Sequence, residues 1–284
     1  MTTDGAVKTR ETTPRSEIAN SSWWLFCLSL VILKFLLLAL DANPKMFMGD
    51  SGSYLWTALS GWIPPDRSFL YGFVIRWVAI TTHSLASLLI FQTLLGAGTA
   101  ILVAFICLRL FALSPRLSFT AGFLCAIDPL QLVWERYVMT ETISLFCYAA
   151  MLFFSLLYLR ERRLWQLASL QALGIIVISF RVSYLLVVQA SAVILPIIAV
   201  LPFLRGQAAT IKSLALHLAV SIALMLAFHA AYKQINGWLS GRPPAYLYTS
   251  GFSILATWAP VLQPTDSPDS RLSHIIAQGG EFQL

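Results

Sequence analysis

Residues 84–108 contain no charged side chain. This run is longer than the ~20 apolar residues that a helix needs to cross the hydrocarbon core of a bilayer. The rest of the 284-residue chain agrees with it, because 58% of the residues are hydrophobic and only 11% are charged, against about 25% charged residues in an ordinary soluble domain. The pattern predicts an all-α polytopic membrane protein, and it excludes a soluble enzyme, a disordered chain and a disulfide scaffold.

About seven segments have the pattern of a membrane-spanning helix. We predict a seven-helix module over 23–234, with a polar tail at 1–22 that we expect to be flexible and cytoplasmic. An outer-side segment at 235–284 follows. The predicted spans are 23–40, 84–108, 117–134, 138–159, 164–180, 182–204 and 213–232.

Basic residues in the short loops predict the orientation of these helices. If the N-terminus is cytoplasmic, the short outer connections contain only Arg136 and Arg181. The cytoplasmic loops then hold Arg109, Arg116, Arg160, Arg162, Arg163, Arg205 and Lys212. The positive-inside rule therefore predicts a multi-pass protein of the inner (plasma) membrane, with the first outer loop, 41–83, on the periplasmic side. The net charge of +6 is explained by the same anchoring, so no nucleic-acid partner is expected.

The outer loop 41–83 and the connections near 128–142 and 181 carry the charges that are hardest to attribute to anchoring. The stretch 68–80 suits a helix that lies in the headgroup layer. Charges at the ends of membrane helices usually mark a site or an internal ion pair, and this applies to Asp128, Glu135, Arg136 and Glu141. The structural alternatives are a loop arginine at Arg181 that reaches the headgroups and a Glu135 that only neutralises Arg136.

Asp50 and Arg67 are the two residues of the outer loop that suit chemistry best. Asp50 precedes a potential helix, so its carboxylate could be an N-cap and could also be an ionised base that accepts a proton from a hydroxyl group; the two roles are compatible. Arg67 follows the rigid pair Pro64 and Pro65, and its guanidinium would bind a phosphate through two parallel hydrogen bonds. The alternative for Arg67 is a simple headgroup anchor.

Cysteine and histidine residues give no sign of a metal site. The four cysteines lie in apolar runs without CxxC spacing, and the four histidines are scattered along the chain. We therefore predict no metal and no other cofactor.

The order of these features resembles the GT-C superfamily of polytopic glycosyltransferases, which includes the protein mannosyltransferase and aminoarabinose transferase group. Between about 23 and 205 the resemblance is carried by GDSGSYL (49–55), DRSFLYGF (66–73), LLGAGTAILVAFICLRLF (94–111), DPLQLVWERYVMTETISLF (128–146) and SFRVSY (179–184). The stretch ERYVMTET is the most diagnostic of these. The chain departs from the family because its first loop lacks an adjacent acidic pair. It also stops soon after the seventh predicted helix, where relatives commonly continue.

The resemblance implies transfer of a sugar from a polyprenyl-phosphate donor to an acceptor hydroxyl on the outer face, with inversion. The acceptor would be a glycan, a lipid or a protein. Asp50 would be the catalytic base, and Arg67, Arg136 and Arg181 would bind the donor phosphate. Sugar or acceptor would contact Tyr54, Tyr71, Glu135 and Glu141, with Trp56 and Trp62 as further stacking residues.

Two other classes of function compete with this expectation. A lipid or solute transporter, or flippase, usually places polar groups and broken helices near the membrane midplane, whereas the charges here are predicted at one outer edge. A non-catalytic membrane scaffold would need only the apolar helices and would leave the outer charges without a role.

Overall fold

A computed structural model describes residues 15–47, 49–200, 208–248, 263–266 and 268–281. These residues are overwhelmingly helical, and within them an isolated bridge between Lys45 and Tyr137 is the one β-type pairing. The prediction of an all-α fold is confirmed. The bilayer explains this preference, since a helix satisfies its own backbone hydrogen bonds and can therefore lie in lipid.

The described chain contains eleven α-helices, two of which end in π-helical turns. They are α1 (Arg15–Leu40), α2 (Asp50–Ser60), α3 (Leu70–Ile75, continued by the π-turn Arg76–Ile80), α4 (Leu85–Phe105, continued by the π-turn Ile106–Leu110), α5 (Pro115–Ala126), α6 (Pro129–Trp134), α7 (Glu141–Glu161), α8 (Leu164–Phe180), α9 (Leu185–Val200), α10 (Ala208–Ser240) and α11 (Ser270–Glu281). Short 3₁₀ turns lie at Val182–Tyr184 and Pro264–Asp266.

Five of the described helical segments are long and apolar enough to cross a membrane. They are Ser22–Leu40, Leu85–Leu110, Glu141–Glu161, Val182–Val200 and Ile211–Ser240. Each corresponds to a predicted span, although residues 201–204 of the span 182–204 lie outside the described residues. The predicted span 164–180 is the apolar helix α8, which is shorter than the other five.

The predicted span 117–134 is divided into two helices. Helix α5 ends at Ala126, and α6 begins at Pro129. Pro129 has no N–H to continue α5, and the Asp128 carboxylate accepts a hydrogen bond of 2.9 Å from the N–H of Gln131, so it caps a new helix. The 12 residues of α5 reach only about 18 Å at 1.5 Å per residue.

The predicted terminal segments differ from the structure at their boundaries. Helix α1 begins at Arg15, so 15–22 is helical where we expected a flexible tail, and 1–14 lies outside the described residues. At the other terminus α10 continues to Ser240, beyond the predicted start of the outer segment at 235. Residues 249–262, 267 and 282–284 of that segment lie outside the described residues.

The loops gather at two opposite ends of the helices. At one end Arg160 donates a hydrogen bond of 2.9 Å to the carbonyl of Arg109. At the other end the bridge between Lys45 and Tyr137 joins the first loop to the connection after α6. A hydrogen bond of 2.8 Å from the N–H of Tyr248 to the carbonyl of Pro65 adds the segment after α10. We call this second end the Asp50 end.

Helices α2 and α3 fold the first loop into a packed unit at the Asp50 end. Glycines with positive φ angles flank α2, at Gly49 (66°) and Gly61 (78°), where the left-handed backbone suits glycine. The side chains of Tyr54 and Ala58 pack with those of Tyr71 and Ile75 in one buried cluster. The loop therefore has a fixed position relative to the helices beneath it.

Candidate functional site

Asp50 is held by an ion pair rather than by a capping role. It is the first residue of α2, Gly49 occupies the N-cap position, and no side chain caps this helix. The N-cap alternative for Asp50 is therefore wrong. Its carboxylate pairs with the Arg67 guanidinium, whose Nε also donates to Asp66 at 3.0 Å. Asp50 and Arg67 are 33% and 22% exposed, so a ligand can reach both.

Tyr54 lies beneath this ion pair. The Arg67 guanidinium carbon is 6.0 Å from the centre of the Tyr54 ring. The Tyr54 and Tyr71 rings pack edge to face, with their centres 5.0 Å apart. Burial raises the pKa of the Tyr54 hydroxyl, and two nearby carboxylates raise this pKa further. A hydrogen bond with Thr140 and the positive charge of Arg67 lower it, but burial has the largest effect. The two carboxylates belong to Asp50 and Glu141, so Tyr54 lies within electrostatic range of both.

A second ion pair joins Glu141 and Arg181. Glu141 is the first residue of α7, and Arg181 is an extended residue between α8 and the turn that precedes α9. The distance from Arg181 Nη1 to Glu141 Oε1 is 2.6 Å, with side-chain exposures of 43% and 10% respectively. Glu141 also lies within electrostatic range of Asp50. Five predicted site residues therefore form one group, which we call the outer cluster: Asp50, Tyr54, Arg67, Glu141 and Arg181.

The Glu141–Arg181 pair lines a cavity of about 590 Å³. Cavities that bind small molecules usually measure about 300–1,000 Å³. Asp128, Trp134 and Tyr184 add polar and aromatic groups to its wall, and Leu124, Leu130 and Leu145 are among its apolar residues. We call this the Arg181 cavity. It has the mixed lining that an amphiphilic ligand requires.

An apolar groove of about 370 Å³ follows the Arg181 cavity along α7 and α9. Tyr184 of the cavity and Tyr148 of the groove are in contact, with ring centres 5.1 Å apart. On α7 the lining residues are separated by combinations of three and four positions, which places them on one helix face; they are Glu141, Ser144, Leu145, Tyr148, Met151, Leu152 and Ser155. From Glu141 to Ser155 this face extends about 21 Å at 1.5 Å per residue. Val187, Ser191 and Ile194 of α9 form the opposite wall.

Glu135 and Arg136 belong to a separate buried cluster together with Lys34. The Lys34 ammonium pairs with the Glu135 carboxylate and donates a hydrogen bond of 2.9 Å to the carbonyl of Ala126, the last residue of α5. Arg136 Nη1 lies 3.7 Å from Glu135 Oε2 and 3.4 Å from Thr93 Oγ1. Lys34 and Glu135 are fully buried, and Arg136 is 4% exposed.

Sequence reasoning assigned no role to Lys34. The signal was present, because Lys34 is the one charge in the predicted span 23–40, and a charge at such a depth is costly unless it has a partner. What the sequence could not give is the partner, which comes from a turn about a hundred residues later.

Three of the predicted ligand contacts are not supported by the positions of the side chains. Tyr71 is fully buried and donates a hydrogen bond of 2.6 Å to Gln92 Oε1, so its ring has no surface for a sugar. Glu135 is fully buried against Lys34, so it cannot touch an acceptor. Arg136 faces away from the Arg181 cavity and lines a different one. Trp56 and Trp62 are 58% and 44% exposed.

Across the part of the chain that the structure describes, no group of three or more His, Cys, Asp or Glu side chains could hold a metal ion. Comparison of the chain with protein-family models, with curated proteins and with solved structures finds no match. The outer cluster, the Arg181 cavity and the groove are therefore the features of the molecule that bear on its function.

Proposed function

We propose that the chain is a membrane glycosyltransferase of the GT-C type that transfers a sugar from a polyprenyl-phosphate donor to an acceptor hydroxyl. One observation carries this proposal: the outer cluster adjoins the Arg181 cavity, and the apolar groove lies next to that cavity on the same face of α7. A polyprenyl-phosphate sugar has the same order of parts, with a sugar, an anionic phosphate and a long apolar tail.

The groove and the arginines suit the lipid and phosphate parts of such a donor. The tail would lie between α7 and α9, along Tyr148, Leu152 and Ile194, where transfer from water to an apolar surface is favourable. The phosphate would bind Arg181, which lines the Arg181 cavity and is 43% exposed, with Arg67 as a second cation. Guanidinium groups bind phosphate oxygens through charge-assisted hydrogen bonds. We assign no donor contact to Arg136, because it lines another cavity.

Asp50 is the group that we assign as the base. The acceptor oxygen would form a new bond to the anomeric carbon while the bond from that carbon to the phosphate oxygen breaks. The hydroxyl proton would pass to the Asp50 carboxylate, and the polyprenyl phosphate would leave with the bonding electrons. The negative charge that develops on the phosphate would be stabilised by Arg67 and Arg181. A single displacement of this kind inverts the anomeric configuration.

The proposal includes a topology. The chain would cross the inner membrane seven times, with α5 and α6 together forming one short crossing and α8 another. The N-terminus and the loops that hold Arg109, Arg116 and Arg160 would be cytoplasmic. The Asp50 end would then face the periplasm, where a glycan, a lipid or a protein acceptor would approach the outer cluster.

One observation favours a transporter or flippase as the second candidate. Lys34, Glu135 and Arg136 are buried beside the break between α5 and α6, and transporters combine buried charges with interrupted helices. The two candidates differ in what Asp50 does, because transport needs no base at the outer cluster.

Replacement of Asp50 by asparagine tests the catalytic proposal. Sugar transfer from a polyprenyl-phosphate donor is measured with radiolabelled sugar in membranes, together with the amount of folded protein. We expect Asp50→Asn to reduce transfer by ~10²-fold or more, because the amide cannot accept the proton. Asp66→Asn is the matched control, because Asp66 also pairs with Arg67 and should be dispensable for proton transfer. Wild-type transfer by folded Asp50→Asn protein would overturn the catalytic assignment.

A further inference from the structure

The buried charges around Lys34 do not balance. The two cations, Lys34 and Arg136, share one carboxylate, that of Glu135. Lys34 takes the closer contact, since Arg136 approaches Glu135 only to 3.7 Å. Within the described residues neither the Nε atom of Arg136 nor the Oε2 atom of Glu135 has a hydrogen-bond partner. A buried cation without a matched anion is costly.

Arg136 lines a second cavity, of about 320 Å³, at the end of α1. Leu37, Leu40, Leu132 and Val133 form its apolar wall, and Asp41, Lys45 and Tyr137 complete it. Lys45 and Asp41 pair with each other and are about half exposed, so they lie at its mouth. Counting all five charged groups, the three cations Lys34, Lys45 and Arg136 exceed the two carboxylates by one charge.

The position of this cavity indicates what could supply the missing negative charge. The cavity is lined by Leu40, the last residue of the apolar segment Ser22–Leu40. In a membrane, the end of such a segment lies where lipid headgroups meet the hydrocarbon core. We propose that the cavity binds an anionic phospholipid of the bilayer. Its phosphodiester, with a single negative charge, contacts Arg136 and Lys45, and an acyl chain lies along Leu37 and Leu132. Helix α6 separates this lipid from the Arg181 cavity, so the site is distinct from that of the proposed donor.

The test compares lipids and variants of the full chain in detergent. Thermal unfolding is followed after addition of phosphatidylglycerol, phosphatidylcholine, polyprenyl phosphate or inorganic phosphate. A ligand that binds only the folded protein raises the melting temperature. We expect phosphatidylglycerol to raise the melting temperature by about 2–4 °C more than phosphatidylcholine does, a shift that corresponds to about a fivefold gain in the folding equilibrium constant for a chain of this size.

Two matched variants separate this cavity from the general lipid-facing surface. Val133→Trp fills the cavity and should remove the difference between the two lipids. Ile32→Trp places the same side chain on α1 outside the cavity and should leave the difference between the two lipids unchanged. The two positions are matched in exposure, since Val133 and Ile32 are 47% and 50% exposed. Arg136→Gln should also remove the difference between the two lipids. Because Arg136→Gln changes a buried charge, it could also impair folding, and Val133→Trp tests the cavity independently of that effect.

Five results would overturn the proposal. Equal shifts from the two phospholipids would remove the anionic preference. A full shift in Val133→Trp, or a loss of the shift in Ile32→Trp, would remove the assignment to this cavity. A Val133-dependent shift with inorganic phosphate but not with phosphatidylglycerol would make it a site for a free anion. A Val133-dependent shift with polyprenyl phosphate but not with phosphatidylglycerol would assign the cavity to the donor lipid or its product.

Discussion

Lys34 and Glu135 are 101 positions apart in the sequence and form an ion pair in which neither side chain is exposed. Through it, the middle of α1 is tied to the turn after α6, and the hydrogen bond from Lys34 to the Ala126 carbonyl adds the end of α5. A short helix such as α5 leaves carbonyl groups without partners at its C-terminus. Lys34 satisfies one of them inside the helical bundle.

Removal of the one carboxylate in this cluster should destabilise the protein more than removal of a cation. Glu135→Gln leaves Lys34 and Arg136 buried without an anion, and we expect a loss of about 3–5 kcal/mol in the free energy of unfolding. Lys34→Met leaves Glu135 facing Arg136, so this variant should lose less free energy of unfolding than Glu135→Gln. Unfolding in detergent measures both. Arg163→Met, which breaks an exposed pair with Glu161, should cost at most about 1 kcal/mol. A larger loss for Lys34→Met than for Glu135→Gln would contradict this interpretation.

Two glycines with different surroundings test how closely the Glu135 carboxylate is packed. A Cβ atom at Gly96 would overlap that carboxylate and approach the Gln131 amide, whereas a Cβ at Gly52 of α2 meets nothing within 4 Å. Gly96→Ala should therefore lower the melting temperature, because the ion pair with Lys34 must shift. Gly52→Ala should be neutral or stabilising by about 0.5–1 kcal/mol, because alanine is the better helix former. Equal effects of the two changes would be inconsistent with the packing described here.

The proposed topology predicts opposite labelling of two loop residues. In a background without the four native cysteines, Ser60→Cys lies at the last residue of α2, at the Asp50 end, and Arg116→Cys lies at the opposite end. Both positions are exposed. A membrane-impermeant thiol reagent added to intact cells should label Ser60→Cys, and Arg116→Cys should react only after the membrane is opened. Labelling of both in intact cells would refute this topology.

Under the proposed function, the groove between α7 and α9 should determine affinity for the tail of the donor. Ile194→Trp places a large ring in the groove and should raise KM for a long-chain polyprenyl donor, with little effect on a donor with a much shorter chain. Ile198→Trp is the control, one turn further along α9 at a similarly exposed position; the two isoleucines are 50% and 48% exposed. An equal rise in KM for both donors would remove the tail from this groove.

The sequence predicts the helices well because their signal is local. Five apolar runs correspond to long helices. The span 117–134 is predicted as one helix, and the break before Pro129 is a correction that the missing N–H of proline explains. Consecutive predicted spans run in opposite directions, so every second loop lies on the same side. This places the first loop, the connection after α6 and Arg181 at one end of the molecule. The ion pair of Glu141 with Arg181 and the electrostatic interactions of Tyr54 with Asp50 and Arg67 are consistent with that placement.

Partner choice and side-chain direction could not be predicted from the same patterns. Asp50 had a local alternative as a helix cap, and only the folded loop determines that Arg67 is its partner. Glu135 had Arg136 beside it in the sequence, yet its closer partner is Lys34. Tyr71 and Arg136 were predicted to contact a ligand because of their chemical type, but burial depends on packing between distant segments and not on residue type.

Helix α6 separates two cavities. Leu130, Gln131 and Trp134 line the Arg181 cavity, and Leu132 and Val133 line the cavity at the end of α1. A displacement of this six-residue helix that widens one cavity narrows the other. Two ligands that favour different positions of α6 would therefore weaken each other's binding, and ligands that favour the same position would strengthen it. By thermodynamic linkage the effect of the first ligand on the affinity for the second would equal the effect of the second on the affinity for the first, so such coupling could be measured at either cavity.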